Sequence, residues 1–343
     1  MSTPLFVNAR AMGKKHTGVE RYTAEIANQL NDKIQILHPQ KPFSGAAGHL
    51  WEQLFLPMRI PRRGVLWSPA NSGPLRVGNQ VLTLHDISVL EHPEWFSPVF
   101  AAWYKFLLPR LVKRVRKIVT VSDYSKDRIR LRFQVPGDQI IVISNGVDQH
   151  HFRPRVRKEI RHVRKKYRLE REYVLTVCTW QPRKNLHNLL SAWQQVSIRF
   201  PQLELIIVGR KGKVYRNQAY IPLPVNVRWL VAVSDNDLPA LFSGAFACVQ
   251  PSLYEGFNLP VLEAMACGTP VLAANTTATP GLVSDAGMLF DPRNVEDMVV
   301  NLEAVFEDDS LRSKMREWGQ ERASHYSWER TAEKMLLVLN SSR

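Results

Sequence analysis

Ten apolar runs of no more than six residues recur along the chain, most of them separated by helix-length amphipathic stretches, and this alternation limits the fold more than any other feature. They fall at residues 5–8, 65–68, 81–84, 117–121 and 140–143, then at 174–178, 203–208, 227–230, 247–250 and 270–273. Runs this short suit strands buried on both faces, and the helices between them supply the crossovers that parallel neighbours need. The expected fold class is therefore α/β, with parallel sheets covered by helices. A chain of 343 residues exceeds what one core usually serves, and a basic stretch at 153–171 parts the two series of runs. The reading is a first domain over 1–165, a second over 166–325, and a C-terminal helix over 326–343 able to cross back to the first.

The basic stretch admits two readings, a nucleic-acid patch or a solvated linker helix. Ile160, Val163 and Tyr167 recur within it at helical spacing, which favours the helix and leaves no nucleic-acid partner expected. Hydrophobic residues make up 45% of the chain and charged residues 22%, so it is globular and not disordered. The first ten residues lack a basic region followed by an apolar one, and no later run approaches a membrane span, so a cytoplasmic protein is expected. Cys178, Cys248 and Cys267 lie far apart in apolar surroundings, as buried reduced thiols do. Residues 1–170 carry 29 Lys and Arg against 13 Asp and Glu, while 171–343 carry 17 against 18. That asymmetry aims the first half at something anionic: a membrane surface, a pyrophosphate-linked acceptor or nucleic acid.

The densest chemistry lies at 252–271, SLYEGFNLPVLEAMACGTPV. An apolar strand ending near Gln250 passes through a Gly-bearing loop, with Gly256, into a helix that has Pro260 in its first turn and Gly268 past its end. The unsatisfied amides of Phe257, Asn258 and Leu259 would face an anion, which the helix dipole also favours, and a diphosphate suits the slot. Glu255 and Glu263 fall on either side of it, each able to accept from a hydroxyl of a sugar or a ribose.

On this segment the chain resembles the family 4 glycosyltransferases, whose paired glutamates seven residues apart are Glu255 and Glu263 here. The resemblance runs over nearly the whole length. It implies GT-B architecture, two Rossmann-like parallel-sheet domains facing across a cleft. It also implies donor-sugar contact by Glu255, ribose contact by Glu263 and phosphate contact by the amides of Gly256 to Leu259. In Thr179-Trp180-Gln181-Pro182-Arg183-Lys184-Asn185 it places a leaving-group cation at Lys184, with Arg183 able to stand in for the family's Gly-Arg pair, which is Cys178-Thr179 here. Cations there would offset charge developing on a departing diphosphate. In Leu84-His85-Asp86 it sets His85 against the donor sugar. In His16-Thr17-Gly18-Val19-Glu20 it puts Gly18 where backbone approaches a phosphate or acceptor, a plain turn being the other reading.

Two departures, Gly281 where members often have Glu and Val231 where Gly is common, leave the nucleotide base open. Asp235-Asn236-Asp237 resembles a metal-binding D-x-D, yet Ser234 with Asp237 reads better as a capping box before 238–242. No H-E-x-x-H, P-loop or G-x-G-x-x-G occurs. Residues 96–117 open with the cap pair Ser97-Pro98 and set Val99, Phe100, Trp103, Phe106, Leu107 and Leu111 on one side among Lys105, Arg110, Lys113, Arg114, Arg116 and Lys117, with Pro109 expected to kink or split the helix. An interfacial membrane patch and a core-facing stripe with a basic back both fit.

The resemblance thus implies a retaining transferase needing no cofactor or metal. Its nearest form is the bacterial mannosyltransferases of surface-polysaccharide and lipopolysaccharide assembly, which implies GDP-mannose as donor and a lipid-linked or growing saccharide as acceptor. Glucosyl, rhamnosyl or N-acetylhexosaminyl transfer would leave the same motifs. An epimerase, a phosphorylase or a non-enzymatic basic binding protein are the readings from other classes.

Overall fold

The computed structural model describes residues 3–12, 17–39, 45–209 and 223–342. It forms two compact units, one made of Met1–Pro93, Pro98–Gly146 and Ser327–Arg343, the other of Glu94–Ser97 and Val147–Tyr326.

In the first unit, strands β1 (Leu5–Asn8), β2 (Gln35–Leu37), β3 (Val65–Ser68), β4 (Gln80–Thr83), β5 (Lys117–Thr120) and β6 (Ile140–Val142) build a sheet in the order β2-β1-β3-β4-β5-β6, every pair parallel. Four of the five expected runs are buried along almost their whole length, as a sheet covered on both faces requires. β2 was not expected. Of its three residues at the sheet edge, Gln35 and Ile36 are exposed and Leu37 is half-buried, so no apolar run announces it.

Helices α1 (Gly18–Gln29), α2 (Ala46–Leu54), α3 (Ser88–Glu91), α4 (Pro98–Val112), α5 (Asp123–Phe133) and the C-terminal α13 (Trp328–Ser341) complete this unit. α13 packs on α1 and buries Trp328, Met335 and Leu339. α4 runs on through Pro109 without splitting there. Proline forfeits one backbone bond there, close to the helix end, and buried Leu107, Leu108 and Leu111 hold both sides in place. The expected apolar side also divides. Leu107 and Leu111 are buried together with Tyr104, Leu108 and Val112, whereas Val99 and Phe106 stand out at 82% and 47% exposure.

The second unit repeats the plan with β7 (Glu172–Val177), β8 (Leu203–Val208), β9 (Val227–Leu230), β10 (Ala247–Gln250), β11 (Val271–Ala274) and the unexpected β12 (Met288–Phe290). The order is β12-β11-β10-β7-β8-β9, again all parallel. Its helices are α6 (Arg157–Lys166), α7 (Leu186–Arg199), α8 (Leu238–Ser243), α9 (Leu259–Ala266), α10 (Thr279–Val283), α11 (Val295–Glu307) and α12 (Asp309–Ser324). Buried Trp193 on α7 meets Phe306 on α11 edge-on, at a centroid separation of 6.4 Å, in a core that includes Leu189, Leu205, Val249 and Leu302.

The units part between Gly146 and Val147, ahead of the basic stretch and not at residue 165. α6 lies in the second unit because it packs on α8, burying Val163. The first unit still holds 23 Lys and Arg against 11 Asp and Glu, so most of the net positive charge stays with it.

Each strand order reverses once, between β1 and β3 in the first sheet and between β7 and β10 in the second. Ligands of open α/β sheets bind beyond the carboxyl ends of the strands at such a reversal.

Candidate functional site

At the second reversal, β7 leads through Gln181 into a 3₁₀ turn over Pro182–Lys184, and left-handed Asn185 then starts α7. β10 leads through a loop to Asn258, whose φ of 82° turns the chain into α9. Leu259 and Pro260 open that helix, where proline costs no hydrogen bond. Among the described residues none accepts from the amides of Gly256, Phe257, Asn258 or Leu259, so these donors stand together at the positive end of α9.

The two loops are stitched to each other. Leu253 N donates to Arg183 O at 2.7 Å, and Arg183 Nη1 donates to Tyr254 O at 2.9 Å and to Glu255 Oε2 at 3.0 Å. Gln181 Oε1 accepts from Arg183 Nε at 2.8 Å, and Lys184 Nζ reaches Glu255 Oε1 at 2.5 Å. Lys184 and Glu255 are 7% and 6% exposed. Burial by itself would raise the Glu255 pKa, but the Lys184 and Arg183 charges outweigh it and hold the carboxyl at about 2. Two cations share one carboxylate beside open amides, so the cluster retains a net positive charge and suits an anion.

Glu263 lies buried in α9, and its charge helps burial push up the Cys248 thiol, to about 12, and that of Cys267. All three cysteines are free, buried and raised in pKa, hence unreactive. Phe257 is buried edge-on to Tyr326. Asn258 Nδ2 donates to Thr279 Oγ1 at 3.2 Å, while its buried Oδ1 has no donor among the described residues.

The expected capping box of Ser234 and Asp237 does not form. Asp237 does begin α8, but its carboxylate accepts from Lys166 Nζ at 2.6 Å and from Tyr167 Oη at 2.7 Å, and no side chain caps the helix. A charged partner from α6 outcompetes the local amide bond. Among the described residues no three His, Cys, Asp or Glu side chains gather as a metal site would need.

In the first unit His85 follows β4 and is 7% exposed. Its Nε2 lies 2.8 Å from Pro69 O, and a carbonyl only accepts, so Nε2 carries the proton and Nδ1 is left as an acceptor. Burial lowers the imidazole pKa below its usual 6.5, and the ring is neutral at pH 7. Asn71 Oδ1 accepts from His85 N at 2.7 Å, and Tyr22 packs edge-on at 4.6 Å. Gly18 opens α1 behind a capping box, with Glu20 N donating to Thr17 Oγ1 at 3.2 Å and Thr17 N to Glu20 Oε2 at 3.0 Å. The T-x-x-E signal for that cap stands in the sequence. His16 lies outside the described residues.

The family model for glycosyl transferases group 1 matches residues 157–322, and that for glycosyltransferase family 4 matches 63–151. The O-antigen chain mannosyltransferase B of Escherichia coli is 34% identical over 267 residues, 75% of this chain and 68% of the relative. The chain belongs to the family 4 glycosyltransferases. A second relative of this glycosyltransferase, the O-antigen chain mannosyltransferase RfbU of Salmonella typhimurium, is 30% identical over 246 residues, 71% of this chain and 65% of the relative. Among solved structures, Alr3699/HepE of Anabaena in complex with UDP-glucose aligns at a TM-score of 0.78 and 20% identity, covering 99% and 100% of the two chains. WaaG, a glycosyltransferase involved in lipopolysaccharide biosynthesis, aligns at 0.75 and 15% identity, covering 98% and 99%. The shared fold is GT-B, two Rossmann-like parallel-sheet domains.

For this glycosyltransferase the structure brings Arg183, Lys184, Glu255 and Gly256 to Leu259 together at one reversal of strand order, and it sets Glu263 inside the helix behind them. His85 and Gly18 belong to the other unit. Gln181 and the Tyr254 carbonyl, which fix Arg183, escaped sequence reasoning because neither carries a charge.

Proposed function

We propose that this glycosyltransferase moves mannose from GDP-mannose, with retention and without a metal, onto a lipid-linked or growing saccharide of a cell-surface polysaccharide. The observation that carries the reading is the Lys184-Arg183-Glu255 cluster beside the open amides at the head of α9. The printed activities of the O-antigen relatives support mannose and polysaccharide. The UDP-glucose of the Anabaena protein marks uridine and glucose as the competing choice.

In this reading the donor diphosphate occupies the amides, and Lys184 and Arg183 turn part of their charge from Glu255 to it as the glycosidic bond breaks. Glu255 then accepts from the sugar hydroxyls. The acceptor oxygen attacks from the leaving-group side, and the departing phosphate takes its proton, so no protein base is required. His85, neutral and with a free acceptor nitrogen, can receive a hydroxyl of the sugar. The acceptor's lipid also gives a reason for the exposed apolar and basic surface of α2 and α4, which we assign to an anionic membrane.

Calorimetric titration of the purified protein with GDP, UDP, ADP and dTDP tests the donor site. Selective GDP binding that is lost in Lys184→Ala and Glu263→Ala supports the reading. Selective UDP binding transfers the proposal to a uridine donor, and binding of none by folded protein sinks it.

A further inference from the structure

The reversal between β1 and β3 in the first unit also carries an Arg–Glu pair, as the second reversal carries Arg183 and Glu255. Asn8 ends β1 and Arg10 lies two residues beyond; Ser72 lies in the loop leaving β3; Glu52 and His49 come from α2. Glu52 is completely buried. Its Oε1 accepts from Asn8 Nδ2 at 2.6 Å, Ser72 Oγ at 3.0 Å and Arg10 Nε at 3.4 Å, and Arg10 Nη2 also donates to Ser72 Oγ at 2.9 Å.

The cluster is not closed. Trp103 Nε1 donates to His49 Nδ1 at 3.2 Å, so that nitrogen is an acceptor with no proton to offer Glu52 Oε2, which lies 3.5 Å away. Glu52 Oε2 is therefore a buried carboxylate oxygen without a donor, and Arg10 Nη1 donates to no described residue. A core needing only stability has no use for a buried carboxylate left half satisfied beside an accessible guanidinium. Arg10 and His49 retain 15% side-chain exposure, so the pair can be reached from solvent. Because Glu52 offsets its charge, the Arg10 fork presents hydroxyl-directed donors more than a net cation, and Trp103 adds a half-buried aromatic face beside it. The loop carrying Ser72 also carries Asn71, which holds His85.

We propose that Arg10, Ser72 and Glu52 form the subsite for the acceptor saccharide, in which Arg10 binds vicinal hydroxyls and Glu52 is a positioning residue that sets its plane. The inference rests on the saccharide acceptor proposed above. It is tested on the full chain by saturation-transfer NMR of octyl α-mannoside without donor, alongside GDP calorimetry and, with GDP-mannose, transfer kinetics. Arg10→Ala and Glu52→Gln are expected to weaken octyl mannoside, and to raise its KM, by roughly 10- to 100-fold, with kcat and GDP affinity close to wild type, a lower thermal midpoint because each breaks a buried ion pair, and Arg10→Lys in between. An unchanged octyl mannoside affinity in Arg10→Ala, or a wild type that binds GDP but not the glycoside, overturns the subsite. A loss of GDP affinity in both variants that matches the loss of octyl mannoside affinity makes the cluster merely structural and also overturns it. Failure of the wild type to bind GDP strikes the donor reading alone, since the NMR comparison needs no donor.

Discussion

Lys184 Nζ sits 2.5 Å from Glu255 Oε1, one residue in the loop after β7 and the other in the loop after β10. The pair joins the two strands between which the second sheet reverses, and Arg183 binds the second oxygen of the same carboxylate. The site is thereby held in shape before any donor arrives, and its charge is poised between a carboxylate already present and a diphosphate still to come.

Replacing Glu255 with glutamine keeps its shape and strips its charge, leaving two cations without their counter-ion. Folding stability is expected to fall by about 3–5 kcal/mol, the usual result of removing one partner of a buried pair. Transfer should fall on the order of 100- to 1000-fold. GDP brings negative charge back to the cluster, so the thermal midpoint of Glu255→Gln should rise more on adding GDP than that of wild type. An equal rise in both would mean that the diphosphate does not meet these cations.

The same pair sets an acid limit. Glu255 is held at about 2 when folded, against an ordinary 4.5, so the unfolded chain takes up a proton first as pH falls. The stabilisation is complete above pH 4.5 and is lost from there down toward 2. Its size is about 3 kcal/mol. Urea unfolding of wild type and Glu255→Gln should show a constant gap from pH 7 to 5 that narrows toward pH 3.

His85 has its pKa depressed by burial, so the stability it carries is present above 6.5 and lost as pH falls below that value. Nitrogen NMR should find the Nε2–H tautomer at pH 7 and a titration below 6.5. His85→Ala should lower kcat by roughly 10- to 100-fold, the value of one hydrogen bond to the sugar, with GDP affinity unchanged. A ring protonated on both nitrogens at pH 7 would contradict the geometry.

The parts legible in the sequence were those with a periodic or local cause. Strands such as 203–208 appear as apolar runs because both sheet faces are covered, and the turn into α9 shows in Asn258, Leu259 and Pro260. β2 and β12 were not legible, since three residues at a sheet edge have too little buried surface to impose a pattern. Pairings between distant loops were equally hidden. Glu255 announced itself as a site residue, but nothing in its neighbourhood says that Lys184 would be its partner, and Glu52 reads as one more polar residue on an amphipathic helix until the fold turns it inward. Asp237 shows the converse, a local cap signal overridden by a cation from α6.

Gly146 closes the first unit where the chain returns as α13. A side chain there would come within 2.3 Å of Ser327 C and Trp328 N, both backbone atoms that cannot yield cheaply. Gly146→Ala is therefore expected to loosen α13. Trp328, 3% exposed, packs edge-on to Tyr22, which packs in turn on His85. Trp328→Ala should cost about 3–5 kcal/mol in urea unfolding and lower kcat while GDP affinity holds, because α13 supports the imidazole and not the donor cluster.

The surface of α2 and α4 supplies the test of membrane contact. Leu50, Leu54, Phe55 and Met58 are exposed on α2 and the turn after it, with Met58 at 74%, and Val99 and Phe106 are exposed on α4. His49 on α2 touches both Trp103 and Tyr104 of α4, so the two sets lie on neighbouring helices. Exposed Arg59, Arg62, Arg63, Lys105, Arg110 and Lys113 flank them. Apolar side chains bordered by cations suit a bilayer that is anionic at its surface and apolar beneath. The protein should co-sediment with phosphatidylglycerol-containing vesicles and stay in solution with pure phosphatidylcholine. Salt should release part of it, since screening weakens the cations and leaves the apolar contact. Met58→Glu with Phe106→Glu should abolish sedimentation at low salt without changing GDP affinity, because both residues belong to the first unit and the donor cluster is built from the second. A wild type that ignores anionic vesicles at low salt would leave this surface to some other partner and remove the membrane from the proposed function.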